Sequence, residues 1–252
     1  MSENDRDFVG ALRKGLAVIE TFESSSQRQT LSEVARAAGL TRAAARRYLL
    51  TLVKLNYAET DEKHFWLTPR VLRLGYAYFS SAPLPKSAQP ILDRIGERTR
   101  EVASLATIDG TEIIFLAHSA TRRLVVASTS VGLRLPAYCT AIGRVLLASL
   151  PQAELERRLK GSAPKKLTPK TKFGFRDLVV EIQKARHDGY ALSDEELEIG
   201  LRSIAVPLID SRGLTSLGVS VSLPAGRMTA ARMVQDILPV LKLAKNNLEK
   251  ML

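Results

Sequence analysis

Residues 30–55, TLSEVARAAGLTRAAARRYLLTLVKL, read as two short helices joined by a glycine turn. Thr30 and Glu33 have the spacing of a capping box, so a helix is expected from about residue 31 to 38, stopping at Gly39, where a left-handed backbone carries no Cβ penalty. Thr41 caps the next helix. Along it Ala45, Tyr48, Leu49, Leu52 and Val53 recur at steps of three and four and form a buried face, leaving Arg42, Ala43, Arg46, Arg47 and Lys54 on the others. That is the shape of a helix-turn-helix. Small residues beside arginines let such a helix enter a DNA major groove closely, while the guanidinium groups reach guanine edges or phosphates. An isolated basic helix is more often just a solvated face, but the context differs here. Residues 28–54 hold Arg28, Arg36, Arg42, Arg46, Arg47 and Lys54 against Glu33 alone, a net charge of +5 that favours phosphate contact. The expected partner is double-stranded DNA, touched by Arg28, Arg36, Thr41, Arg42, Ala43, Arg46, Arg47 and Lys54.

Working outward, Phe8, Leu12, Leu16, Ile19 and Phe22 recur at helical spacing and predict a first helix packed behind the other two. After Leu55, the stretch NYAETDEKHFWLTP predicts a hairpin, a wing, with Tyr57 and Ala58 on one strand, residues 65–67 on the other and a charged tip. The tip lacks the glycine of a two-residue turn, so a longer one is expected. Thr68 followed by Pro69 starts a helix that should reach about Ser80. Its apolar content, Val71, Leu72, Leu74, Tyr76, Tyr78 and Phe79, is too rich for one buried stripe. The prolines 83, 85 and 90 then predict a break and a hinge. The expected domains are residues 1–68, a linker helix and hinge over 69–83, and a second domain over 84–252.

In that second domain a helix is expected around Ile91, Leu92 and Ile95, and residues 102–108 and 111–117 read as a hairpin turned at Asp109 and Gly110. Another strand is expected over 124–129. Helical patterns follow over 141–149, after Pro151, and over 176–187 with Gly189 as the stop. Strands over 203–209 and 217–223, joined by Asp210, Ser211, Arg212 and Gly213, precede a last helix capped by Thr229. This order is not the regular alternation of a doubly wound parallel sheet, so the fold class is α+β, with helices packed on an antiparallel sheet.

The 252 residues suit two ordinary domains, with 45% hydrophobic and 25% charged residues. Net charge is +11, of which residues 1–80 carry only +3, so overall basicity does not locate a nucleic-acid surface. A single cysteine, Cys139, excludes an intramolecular disulfide framework and fits a reducing compartment; His64, His118 and His187 have no metal-ligand spacing. No cofactor or metal is expected. The polar start MSENDRDF and the absence of an apolar run of about 18 residues predict a cytoplasmic chain with no export signal and no membrane partner.

TLSEVARAAGLTRAAARRYLLTL, FWLTPRVLRLGYAYFSS, LPAYCTAIGRVLLA and DEELEIGLRSIAVPL, followed by LGVSVSLPAGRMT, together resemble the IclR-type transcriptional regulators over nearly the whole chain. The wording of LTPRVLRLGYAYFSS and RLPAYCTAIGRVLLASLP is similar to the subgroup that controls bacterial catabolism of aromatic acids through the β-ketoadipate route. The resemblance implies an N-terminal winged helix-turn-helix, a linker helix that dimerises, and a C-terminal GAF-like effector-binding domain with an antiparallel sheet. It implies a homodimer or a tetramer built as a dimer of dimers, a pseudo-palindromic operator, and a small aromatic or dicarboxylic acid as effector. By position, the effector residues it implies are Ala141, Ile142, Ser193, Ser203, Ser220 and Ser222. Ser203 stands where some members have cysteine, and Ser193 where some have aspartate. Independently, the helix opening near Thr140 offers free N–H groups and a positive dipole end to a carboxylate, with Pro136, Tyr138 and Cys139 as an apolar wall. Arg134 is added as a bidentate partner for the acid, against the alternative of an exposed salt bridge.

Two other readings compete. An enzyme would use Cys139 as nucleophile and Asp194, Glu195 and Glu196 as acids, but no base and orienter accompany them, and DEELE reads as a solvated loop or helix start. Alternatively, residues 84–252 only oligomerise and bind no effector.

Overall fold

The computed structural model describes residues 7–23, 28–81, 83–120 and 130–252. The chain separates into two compact units, residues 1–81 and 82–252. The strand expected over 124–129 lies outside the described residues.

The first unit opens with helix α1 (Gly10–Glu20), strand β1 (Gln29–Thr30) and helix α2 (Leu31–Ala37), followed by helix α3 (Arg42–Lys54). The capping box is formed: the Thr30 side chain accepts from the Glu33 N–H while the Glu33 carboxylate accepts from the Thr30 N–H at 2.7 Å. Gly39 takes φ +63° at the turn. Strands β2 (Ala58–Thr60) and β3 (His64–Leu67) make the wing, and β1 adds to the far side of β3, giving the order β1-β3-β2. The tip has three residues, with Glu62 at positive φ and the Asp61 carboxylate accepting from the Lys63 and His64 N–H groups. Val18, Val34, Leu49, Leu52, Ala58 and Phe65 form the core. The register of α1 differs from expectation. Val18 points inward with Ile19 and Phe22 beside it, whereas Leu12 and Leu16 are exposed, because only the C-terminal half of α1 lies against the other helices. After a 3-10 turn at Pro69–Val71, helix α4 (Leu72–Ser81) ends the unit with Leu72, Leu74, Tyr76 and Tyr78 exposed.

The second unit begins with helix α5 (Pro83–Thr99), so the break expected at Pro83, Pro85 and Pro90 is helical instead. Pro83 and Pro85 fall in the first turn, where a missing N–H costs nothing, and only Pro90 interrupts the interior. Strands β4 (Val102–Asp109) and β5 (Glu112–His118) form the expected hairpin, paired Asp109 to Glu112, so its turn is Gly110 and Thr111. There follow strand β6 (Arg134–Pro136), helices α6 (Ala141–Ala148), α7 (Gln152–Gly161) and α8 (Phe175–Asp188), strands β7 (Ala191–Asp194), β8 (Leu201–Ile209) and β9 (Thr215–Pro224), and helices α9 (Ala230–Asp236) and α10 (Leu238–Glu249). The six strands form one antiparallel sheet in the order β6-β5-β4-β9-β8-β7. β6 and β7 were not expected, and the last helix is two.

Strand alternation sorts the sheet into two faces. Leu105, Ile204, Val206, Leu208, Val219, Val221 and Leu223 pack with α5 and α10 on one side. Ser104, Ala106, Ser203, Ala205, Gly218, Ser220 and Ser222 occupy the other, towards α6 and α8. Small residues on that face leave space. The α+β class expected from the sequence is the one observed.

Candidate functional site

In the first unit, Thr41 caps α3 by accepting from the Ala44 N–H at 3.2 Å. Ala45, Leu49 and Leu52 are buried, and Arg42, Ala43, Arg46, Arg47 and Lys54 are exposed. Arg42, Arg46, Arg47 and Lys54 have no acidic partner among the described residues, so their charge is fully available to a polyanion. Arg36 projects from the last turn of α2. Arg28 is different: its guanidinium stacks 4.3 Å over the Trp66 ring and lies 3.5 Å from Asp61, bracing β3 and the wing tip. An α-helix with small and cationic residues outermost, beside a hairpin, can enter a major groove and rest its wing on the backbone.

In the second unit a cavity of about 300 Å³ lies between the small-residue face of the sheet and the start of α6. Of the expected residues, Ala141, Ile142, Ser193, Ser203, Ser220 and Ser222 all line it, as does Thr140 at the helix opening; so do Ser104, Ile113, Phe115, Leu133, Leu135, Leu197, Glu198 and Leu201, which sequence reasoning missed. Its walls are mostly apolar. Arg134 does not reach it. Leu133 and Leu135 face the cavity, so strand alternation turns Arg134 away, where it donates to Glu112 and Asp109 at 2.9 Å each. Pro136, Tyr138 and Cys139 are not in the wall either; the Tyr138 hydroxyl donates to the Lys165 carbonyl at 2.9 Å, behind the start of α6.

Thr140 caps α6. Its Oγ1 accepts from the Gly143 N–H at 3.2 Å, and its carbonyl accepts from the Arg144 N–H at 3.0 Å. Among the described residues, the N–H groups of Ala141 and Ile142 are the ones left over in this first turn, and both residues line the cavity. Gly143 is needed here, since a Cβ would meet the Ala137 carbonyl oxygen at 2.1 Å and push α6 away. On the sheet, Ser193 donates to the Cys139 carbonyl at 2.7 Å, and the Ser203 and Ser222 hydroxyls share a 2.8 Å hydrogen bond.

The loop closing one side of the cavity, with Leu197 and Glu198, is fixed by an ion pair that the sequence did not reveal. Arg144, 1% exposed, donates to both Glu196 oxygens at 2.6 Å and to the Tyr138 and Leu192 carbonyls at 3.0 and 3.1 Å. Glu196 also accepts from the Lys172 N–H at 3.0 Å. The DEELE stretch is therefore not a solvated loop: Asp194 ends β7 and pairs with Arg202, Glu195 pairs with Lys170, and Glu196 is buried.

Cys139 has no exposed surface, and burial pushes its thiol up to about 12, against the pull of the Arg144 charge. The thiolate is absent at neutral pH. Iodoacetamide at pH 7.5 should therefore leave Cys139 unmodified in the folded protein and label it on unfolding, as followed by mass spectrometry; rapid labelling of the native chain would contradict this environment. No cluster of metal-ligating side chains occurs among the described residues, and no described helix is long and apolar enough to cross a membrane.

Comparison with known proteins adds three relatives. Residues 11–62 match the IclR helix-turn-helix domain and residues 76–249 the bacterial transcriptional regulator IclR C-terminal domain. The chain is 43% identical to the Pca regulon regulatory protein of Pseudomonas putida over 97% of its own length and 84% of that protein. It is 36% identical to the p-hydroxybenzoate hydroxylase transcriptional activator of Acinetobacter baylyi, over 97% and 92%. A crystal structure of an IclR homolog from Microbacterium hydrocarbonoxydans complexed with 4-hydroxybenzoate superposes with a TM-score of 0.75 at 25% identity, covering 96% of this chain and 98% of the other. These relatives are regulators rather than enzymes.

Proposed function

From the premise that this chain belongs to the IclR family of bacterial transcriptional regulators, we propose that it binds a pseudo-palindromic operator under the control of a small carboxylic acid held in the cavity. The effector is an aromatic acid, or a dicarboxylic acid derived from one, and the regulated genes serve its breakdown in the cytoplasm. The observation that carries this reading is the pairing of two uncapped N–H groups, at Ala141 and Ile142, with an apolar cavity whose sheet wall bears serine hydroxyls. A helix N-terminus attracts a carboxylate through both its free donors and its dipole. The apolar walls suit a ring or short carbon chain, and the serines suit the remaining polar atoms. The relatives named for the Pca regulon and for p-hydroxybenzoate hydroxylase, and the one complexed with 4-hydroxybenzoate, support the same chemistry.

A single winged helix contacts few base pairs, so specificity calls for two copies on paired half-sites. The exposed Leu72 and Tyr76 on α4 supply an apolar contact for a homodimer, which can pair again as a tetramer.

Titration calorimetry with protocatechuate, 4-hydroxybenzoate and β-ketoadipate tests the effector. Ala141→Trp fills the carboxylate end and should abolish the response of DNA binding to the acid while keeping apo operator affinity within a few fold. Ser203→Ala should weaken the acid by about 0.5–1.5 kcal/mol, the net value of one hydrogen bond. Normal binding to Ala141→Trp would locate the pocket elsewhere. The competing reading, a second domain that only oligomerises, requires that no acid stabilise the protein; a ligand at 100 times its Kd adds about 2.7 kcal/mol, easily seen in a thermal shift.

A further inference from the structure

Resting on the reading that α3 binds an operator, we propose that the second unit makes its own, sequence-independent contact with duplex DNA, in which Lys165, Lys166 and Arg176 take backbone phosphates beside the operator. Residues 82–252 hold 25 lysines and arginines against 17 acids. Eight of those cations and none of the acids fall within residues 157–176, so the rest of the unit balances at 17 of each. The unit's whole excess of +8 sits on twenty residues.

Blocks of like charge repel and commonly stay loose. This one is fastened. The end of α7 and the start of α8 are drawn together by the Lys160 ammonium, 5.6 Å from the centroid of the Phe175 ring. Between them the Tyr138 hydroxyl accepts from the Lys165 N–H at 3.1 Å and donates to the Lys165 carbonyl at 2.9 Å. The Thr168 and Thr171 hydroxyls donate to the Glu195 and Glu196 carbonyls at 2.7 and 2.6 Å. The loop's backbone is thus held to the body of the unit, and its free cations are displayed from a fixed support.

The eight cations divide by partner. Arg157 and Arg158 pair with Glu154, Lys170 with Glu195 and Lys172 with Glu181. Lys160, Lys165, Lys166 and Arg176 are exposed and have no acidic partner among the described residues. The acids that flank the segment are turned elsewhere: Glu156 accepts from Gln152 at 2.9 Å, and the Asp177 carboxylate folds back beside Gly174. The four free cations are spread over a helix end, a loop and a helix start, which suits a row of phosphates rather than base edges in a groove. Because the two units share one chain, a duplex held by α3 is at high effective concentration for this loop, and a modest attraction is enough. The exposed Leu167 and Phe173 in the same segment would also suit an acidic protein, so that rival is an arm of the test.

Fluorescence anisotropy on the full chain would compare a duplex carrying the operator alone with one extended by random-sequence flanks of about two helical turns on each side, at roughly 50 and 200 mM salt. The natural chain should hold the extended duplex about tenfold more tightly at the lower salt and lose that advantage at the higher. On the extended duplex its slope of log K against log salt should be steeper by about 0.9 for each phosphate contact, or about 2.7 for three. Lys165→Gln, Lys166→Gln and Arg176→Gln combined should remove both the advantage and the extra slope, with the short operator bound as before. Lys184→Gln, Lys242→Gln and Lys250→Gln combined, at exposed positions of the same unit outside the segment, lower the net charge equally and should keep both. An advantage that survives the first triple substitution, one that the second abolishes as fully, or none at all in the natural chain would each overturn the proposal. So would a first triple variant that loses affinity for poly-L-glutamate yet binds the extended duplex normally, which assigns the loop to an acidic protein. The short duplex keeps the two readings apart. If the natural chain does not bind it, the α3 reading fails and this proposal with it; if it binds and the flanks add nothing, only the loop contact fails.

Discussion

Replacing Arg46 and Arg47 together with alanine is expected to weaken operator binding by about 2–6 kcal/mol, taking 1–3 kcal/mol for each good base contact, a loss of about thirtyfold to more than ten-thousandfold. Both side chains are exposed on α3, and neither is neutralised by an acid among the described residues, so removing them takes nothing from the fold. Acid binding should be unaffected, since the cavity belongs to the other unit. Fluorescence anisotropy with a labelled operator measures the affinity. Salt dependence separates two roles: lost phosphate contacts flatten the slope of log K against log salt by about 0.9 each, whereas lost base contacts leave it and relax sequence preference. An unchanged operator affinity would remove α3 from the groove.

Glu196→Ala is expected to destabilise the second unit strongly. It leaves the Arg144 guanidinium, 1% exposed, with two carbonyl partners and Glu181, 3.9 Å away, as its remaining counter-charge; stranding one member of a buried pair costs about 3–5 kcal/mol, and Glu181 places this case at the lower end. Thermal unfolding should shift down by roughly 2–4 °C for each kcal/mol. Replacing both partners, Arg144→Met with Glu196→Leu, should recover most of the loss, because a packed apolar pair avoids the desolvation penalty. A shift of only a degree or two in Glu196→Ala would mean that water reaches the pair. Glu196→Ala should also loosen the loop carrying Leu197 and Glu198, so acid affinity should fall with stability.

The parts legible in the sequence were those set by local rules. The capping box at Thr30 and Glu33, the Gly39 turn, the apolar face of α3 and the cap at Thr41 each need only neighbours a few residues apart. The serines of β9 were legible for the same reason, since two-residue spacing puts Ser220 and Ser222 on one face. What escaped depends on distant partners. Glu196 looked solvated because its partner Arg144 is 52 residues away. The cavity walls at Ile113, Phe115 and Leu133 look like any other core, and nothing local marks them as facing space. Arg134 was drawn to the cavity by its charge, while Asp109 and Glu112, close by across the β5–β6 pairing and its turn, claim it in the fold. The prolines near residue 83 end a helix by default, and here they begin one.

The division of labour around the cavity also bears on descent. The N–H groups at Ala141 and Ile142 are main chain, so no point mutation that spares α6 can delete them, whereas Ser104, Ser193, Ser203, Ser220 and Ser222 are each one codon change from a different wall. On the proposed reading, a lineage carrying this architecture could exchange one acid for another through the sheet while the start of α6 kept the carboxylate end.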